Sequence, residues 1–212
     1  MAGVKQLTST DSLLIARITQ HGPGWVFTPA DFADLGTSQA VRHALVRNAQ
    51  KGMIRQLHRG LYEFPRQHPK LGILSPSPEA VAKAIQSRDA TRLQPSGAYA
   101  ANLLGISEQV PAKIVFYTDG QSRMIQVGNQ QIVLKRRSSR MMATAGRPSG
   151  LVISALEELG PDNVNEEVLS QIRRSLDKDA LRSLAADARY APAWIADCMR
   201  KLSETEDKQV HG

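Results

Sequence analysis

Residues 28 to 64 read TPADFADLGTSQAVRHALVRNAQKGMIRQLHRGLYEF, and they hold a helix start, a helix with two unlike faces, and a hairpin, in that order. Thr28 followed by Pro29 opens a short helix, because a hydroxyl can accept an orphan backbone N–H and proline at the first helical position has none to lose. That helix runs to about Leu35, and Gly36 closes it. Thr37 or Ser38 caps the next one, which extends to about Lys51 and stops at Gly52. Along it Val41, Ala44, Leu45 and Asn48 share one face, while Gln39, Arg42, His43, Val46 and Gln50 share the opposite face. One stripe packs and the other meets solvent. Met53-Ile54, Gln56-Leu57-His58, the turn Arg59-Gly60 and Leu61-Tyr62-Glu63-Phe64 before Pro65 then read as a two-stranded hairpin.

Upstream, Asp11 or Ser12 caps a helix with Leu13, Leu14, Ala16, Arg17 and Ile18, broken at His21-Gly22-Pro23-Gly24 and followed by an apolar clip, Trp25-Val26-Phe27. Three short helices and a hairpin predict a winged helix-turn-helix over residues 1–65, a DNA-binding domain. Downstream, Pro65, Pro69, Pro76 and Pro78 enclose a connector read as a linker. Helices are expected at Glu79–Ser87 and Ser96–Leu104. A meander follows through Ile114–Thr118, Met124–Val127 and Ile132–Leu134, with antiparallel pairing expected. From Pro148 the pattern is helical, and the end from Glu204 is expected to fray. The fold class is therefore α+β: the N-terminal winged helix, then over residues 66–212 a second domain of helices and a small antiparallel sheet with a helical C-terminus.

The chain has 212 residues, of which 42 % are hydrophobic and 5 % aromatic, which fills a core but disfavours a cofactor box built on rings. Its single cysteine, Cys198, excludes an internal disulfide and a cysteine-based zinc site. No apolar run is long enough to span a membrane and the first residues lack a signal-peptide pattern, so a cytoplasmic protein is expected. The net charge of +7 is uneven. Residues 1–65 hold seven basic and four acidic side chains, 66–150 hold twelve and four, and 151–212 hold eight and twelve. A basic front and an acidic helical back suit an anionic partner, nucleic acid first among them.

The strongest candidate site is the third helix with its hairpin. Gln39, Arg42 and His43 stand where a recognition helix meets base edges, glutamine suiting adenine and arginine suiting guanine. Arg47, Lys51, Arg55 and Arg59 are placed to hold phosphates, and from Ser38 to Arg59 there are five Arg or Lys and no acid. Thr28 and Ser38 either cap helices and nothing more, or also offer N–H groups to phosphate. A second basic patch, Lys135, Arg136, Arg137 and Arg140, ends a strand and either extends a nucleic-acid footprint or merely solvates that end. Gly146–Gly150 lacks the spacing of a phosphate loop and reads as a linker. The histidines at 21, 43, 58, 68 and 211 have no metal-ligand spacing, so no metal and no cofactor are expected. Asp119 is explained by its Asp-Gly turn, and a metal-dependent nuclease would want further carboxylates nearby. Cys198 shares a helical stripe with Trp194, Ile195 and Leu202 and reads as a buried apolar residue. No catalytic residue is expected, and the chain is read as non-enzymatic.

Trp25-Val26-Phe27-Thr28-Pro29, the run Ala40–Leu45 and the close Arg59-Gly60-Leu61-Tyr62 resemble the N-terminal winged helix of AbiEi-type antitoxins. Gln94-Pro95-Ser96-Gly97-Ala98-Tyr99 and on to Gly105, followed by Val110–Lys113, is similar to a bacterial branch of that family. The resemblance covers residues 11 to 160. It implies a type IV toxin-antitoxin system, in which the antitoxin represses its own operon through the winged helix and counteracts a nucleotidyltransferase-like toxin. By position the DNA-reading helix falls on Ser38 to Lys51 and the wing on Arg55 to Tyr62. The expectation is a transcriptional autorepressor that seats on operator DNA, as a homodimer or as two molecules side by side. The alternative is a winged-helix module that docks protein or RNA without operator specificity.

Overall fold

The computed structural model describes residues 9–204. The sequence readings of the first eight residues, of the fraying end beyond Glu204 and of His211 fall outside them. The described part is α+β, with eight α-helices and small sheets, and it divides into two compact units. One runs to Ala90 and takes in Ile125–Asn129; the other holds Thr91–Met124 and continues from Gln130.

In the first unit α1 spans Thr10–His21, with the Ser9 hydroxyl accepting from Ser12 N at its start. Strand β1 (Val26–Phe27) leads into a 3-10 turn, Pro29–Phe32, and then α2, Ser38–Gln50. The cap of α2 is Thr37, whose Oγ1 accepts from Ala40 N at 3.2 Å. Its end is set by Gly52 at φ +72°, a backbone angle that side chains with a Cβ resist. Strands β2 (Arg55–His58) and β3 (Leu61–Glu63) pair antiparallel across Gly60, φ +69°, and β3 also pairs with β1 to give the order β1-β3-β2. Leu14, Ile18, Phe27, Phe32, Val41, Ala44, Leu45 and Ile54 close the core between helices and sheet. Phe27 packs edge-on against Phe32 with centroids 5.4 Å apart, so the apolar clip read in the sequence is a piece of this core.

The Pro-rich connector does not leave the unit. It folds back as a small hairpin, β4 (Gln67–His68) with β5 (Gly72–Ile73), and then gives α3, Pro78–Asp89, which buries Val81, Ala82, Ala84 and Ile85 and packs against β1. The unit boundary therefore falls after α3 at Ala90, whereas the sequence reading placed it at Pro65.

The second unit contains β6 (Leu93–Pro95), α4 (Ala98–Leu103), β7 (Lys113–Thr118), the start of β8 (Arg123–Val127), β9 (Gln130–Arg136) and the helices α5 (Pro148–Leu159), α6 (Glu166–Ser175), α7 (Lys178–Asp187) and α8 (Ala193–Glu204). The sheet order is β6-β7-β9-β8. Strand β7 runs antiparallel to β6 and parallel to β9, with Ile114 opposite Ile132 and Phe116 opposite Leu134. This corrects the expected antiparallel meander: β9 inserts beside β7 and pushes β8 outward. Its alternation buries Ile132 and Leu134 from the central position. The four terminal helices stand where the apolar spacing places them, and Val152, Leu156, Ile172, Leu184, Ile195, Met199 and Leu202 form their shared core. Cys198 packs against it, and burial raises its thiol pKa, which keeps the sulfur protonated.

The stretch from Gln94 finds a structural explanation. Gln94 is buried, and its Oε1 accepts from Gly146 N at 3.1 Å, tying β6 to the approach to α5. Ser96 N donates to Val115 O, and Tyr99 meets Phe116 edge-on at 5.7 Å. Gly150 sits so close to Thr144 O and Gln94 Oε1 that a Cβ there would collide with both. The segment expected to be a linker before it is the start of α5: Arg147 precedes Pro148 and donates to Asp187 Oδ1 at 2.9 Å, and the Ser149 hydroxyl donates to Asp187 Oδ2 at 2.5 Å. Among the described residues no helix is long and apolar enough to cross a membrane.

Candidate nucleic-acid interface

The outer face of α2 carries Gln39, Arg42, His43 and Val46, all exposed, while Val41, Ala44, Leu45 and Asn48 are buried beneath them. Ser38 is exposed at the first helical position, and Lys51 is exposed just past the last. Arg59 stands exposed at the turn between β2 and β3. Arg42, Lys51 and Arg59 make no hydrogen bond or ion pair with another described residue. A groove of about 800 Å³ lies between α2 and this turn, with Arg42, Val46, Gln56, Arg59 and Arg88 on its walls. Val46 is 43 % exposed there, an apolar side chain on an otherwise polar face. Two wall residues were missed by the sequence reading. Gln56 looked like an ordinary strand residue, and Arg88 lies on a helix assigned to the other domain.

Three expected phosphate contacts are otherwise engaged. Thr28 is fully buried, and both its N and its Oγ1 donate to Asp31 Oδ2, at 2.7 and 3.0 Å, so it caps the 3-10 turn and offers nothing outward. Arg55 lies over the buried Glu63, donating to Oε2 from Nε at 3.0 Å and from Nη2 at 2.5 Å, with a further bond from Nη2 to Leu74 O. A carboxylate buried in a sheet must be neutralised, so Arg55 is a structural cation. Arg47 donates to Asp11 Oδ1 at 3.1 Å, and Asn48 Nδ2 donates to the same oxygen at 3.0 Å, which pins α1 to α2. Half of the Arg47 side chain still faces solvent. The run without acids was basic in sequence only, because its acids arrive from Asp11 and Glu63 through the fold.

A second clasp holds α1 to the segment after the 3-10 turn. Arg17 donates bidentately to Asp34 at 2.7 and 2.6 Å, and this lowers the Asp34 pKa to about 2. The helix that bears the polar face is thus held by α1, through Asp11, and packs against the 3-10 turn.

In the second unit, Lys135, Arg136 and Arg140 are exposed, and Arg137 lies over the ring of Tyr117, 4.4 Å from its centroid. Asp119 is held by Arg92, whose N and Nε both donate to it at 2.8 Å, and this bond lowers its pKa.

A family model matches residues 14–184, from α1 through most of α7. The chain belongs to DUF6088, a family of unknown function. The matched span of this DUF6088 chain includes both the α2 face and the basic patch of the second unit. Among solved structures, the RV2827C protein from Mycobacterium tuberculosis is similar over 92 % of this chain and 76 % of its own length, at 16 % identity and a TM-score of 0.45. No curated protein matches the sequence.

Proposed function

We propose that this DUF6088 chain is a non-enzymatic DNA-binding regulator whose first unit is a winged helix-turn-helix, and that it represses transcription by occupying operator DNA. The observation that carries the reading is the order α1, β1, 3-10 turn, α2, β2, β3 with the sheet arranged β1-β3-β2, which leaves the polar face of α2 uncovered beside a hairpin tipped by Arg59. An α-helix presented in this way fits the major groove, and the turn beside it reaches the adjoining phosphates. The resemblance to AbiEi-type antitoxins supports autorepression within a toxin-antitoxin pair, with a nucleotidyltransferase-like toxin as functional counterpart and the cytoplasm as the place of action. Inverted half-sites would be met by a homodimer or by two molecules side by side.

The pairing of Arg55 and Arg47 sets how strongly salt acts. With about −0.9 in log–log slope per phosphate neutralised, the three free cations of this face give a slope of about −3, against about −4.5 if all five basic residues engaged. Fluorescence anisotropy on the DNA upstream of the gene, titrated with salt, checks this. A slope near zero would favour the second reading, a winged-helix module that docks protein or RNA, which the loss of two expected phosphate cations to internal carboxylates supports.

A further inference from the structure

The parallel strands β7 and β9 end side by side, with Thr118 opposite Arg136, and the loops that leave them enclose a crevice of about 680 Å³. Asp119 comes from one loop; Arg136, Arg137, Ser138, Ser139 and Met141 come from the other. Carboxyl ends of parallel strands are where ligands gather in open α/β sheets, because both chains turn away there and leave backbone and side chains pointing into one space.

The charge in this space is arranged for an anion. Asp119 is already neutralised by Arg92, whose Nη1 is also fixed by Met142 O at 3.0 Å. Arg137 is held flat by Tyr117, its backbone N donates to Thr118 O, and its charge reaches Glu157 on α5. Its buried Nε has no hydrogen-bond partner among the described residues. The Arg136 backbone is fixed by Ser122 Oγ, while its side chain has no partner among the described residues. Lys135 and Arg140 are exposed next to the lining residues in the chain. Arg92 thus answers Asp119 and Arg137 acts on Glu157, which leaves the Arg136 charge without a carboxylate partner among the described residues.

We infer that this crevice binds a phosphate group, with Arg136 and Arg137 as the charged donors and the Ser138 and Ser139 hydroxyls completing the set. The site lies wholly in the second unit, so it stands whether or not the first unit reads DNA. Two sources share this chemistry, a small soluble phosphate compound and the phosphodiester backbone of nucleic acid.

Isothermal titration of the full chain with inorganic pyrophosphate is expected to give saturable binding. Arg136→Ala, which removes no internal bond, should weaken it about tenfold or more, the worth of one charge-assisted hydrogen bond. Arg137→Lys keeps the charge but loses the flat donor fork and should also weaken it. Arg174→Ala, remote in sequence on α6, should leave it unchanged. In a second arm, binding to a short random-sequence duplex is compared between Arg42→Ala/Arg59→Ala and the same protein carrying Arg136→Ala as well. A further loss there assigns the phosphate to a nucleic-acid backbone; retained duplex binding with lost pyrophosphate binding assigns it to a soluble compound. The inference is overturned if a folded Arg136→Ala protein, verified by circular dichroism, matches the parent in both arms, or if Arg174→Ala weakens pyrophosphate as much.

Discussion

At the scale of single residues, the face of α2 separates groups that carry a charge outward from groups that only look as if they do. On the proposed reading Arg42→Ala should cost about 1–3 kcal/mol on the preferred sequence and relax discrimination at one base position, whereas Lys51→Ala should weaken all sequences alike. Selection from a random duplex pool followed by binding to single-base variants checks the division, and equal losses on every sequence for both variants would refute it. Arg55→Ala behaves differently. It strands the buried Glu63 carboxylate, whose Oε1 already lacks a partner, so stability should fall by about 2–3 kcal/mol, the lower end for a broken buried pair because Arg55 is 36 % exposed. Urea denaturation would read this as a lower midpoint, with base preference unchanged in the folded protein. Nothing in the run Ser38–Arg59 distinguishes Arg55 from Arg59, because the partner that claims one of them sits across a strand pairing.

Among elements, the helices and the β2–β3 hairpin were legible, and the partners of β7 were not. The spacing of Val41, Ala44, Leu45 and Asn48 is a local property, and the buried stripe of α2 matches it residue for residue. The apolar alternation in β8 and β9 is equally plain, but alternation does not say which neighbour a strand takes, and β7 pairs with β9 rather than with the next strand along. The connector misled because prolines mark turns as well as linkers, and here they bracket a hairpin. Gln94 was legible as a motif without a role; its bond to Gly146 joins residues 52 positions apart in the chain and cannot be seen from spacing. Gly150→Ala tests that junction. A methyl group would push into Thr144 O and the Gln94 amide, and the expected result is a melting temperature several degrees lower, in the range of about 1–3 kcal/mol for overpacking.

Over the whole molecule, each unit carries an arginine-clasped carboxylate whose pKa is lowered, Asp34 in the first and Asp119 in the second. Both have a folded pKa below the ordinary value of 3.8, Asp34 at about 2. The folded state therefore binds fewer protons than the unfolded chain, so the stability from each clasp is complete above pH 3.8 and is lost on acidification, that of Asp34 as pH falls toward 2. Thermal melts of the parent and of Asp34→Asn should converge across that window, the variant losing less on acidification. A parent melt that is flat over the same window would count against the Arg17–Asp34 clasp.

The central place of β9 also constrains the order in which the second unit can assemble. Strands β8 and β9 are joined by a short turn at Gly128-Asn129 and can zip up early, in the microsecond range of hairpins. Pairing β7 with β9 needs the whole intervening segment to loop back first, and that closure entropy makes it the slower event. Ribosomal synthesis delivers β7 after β6 but before β9 exists, so one edge of nascent β7 must wait unpaired until β9 emerges.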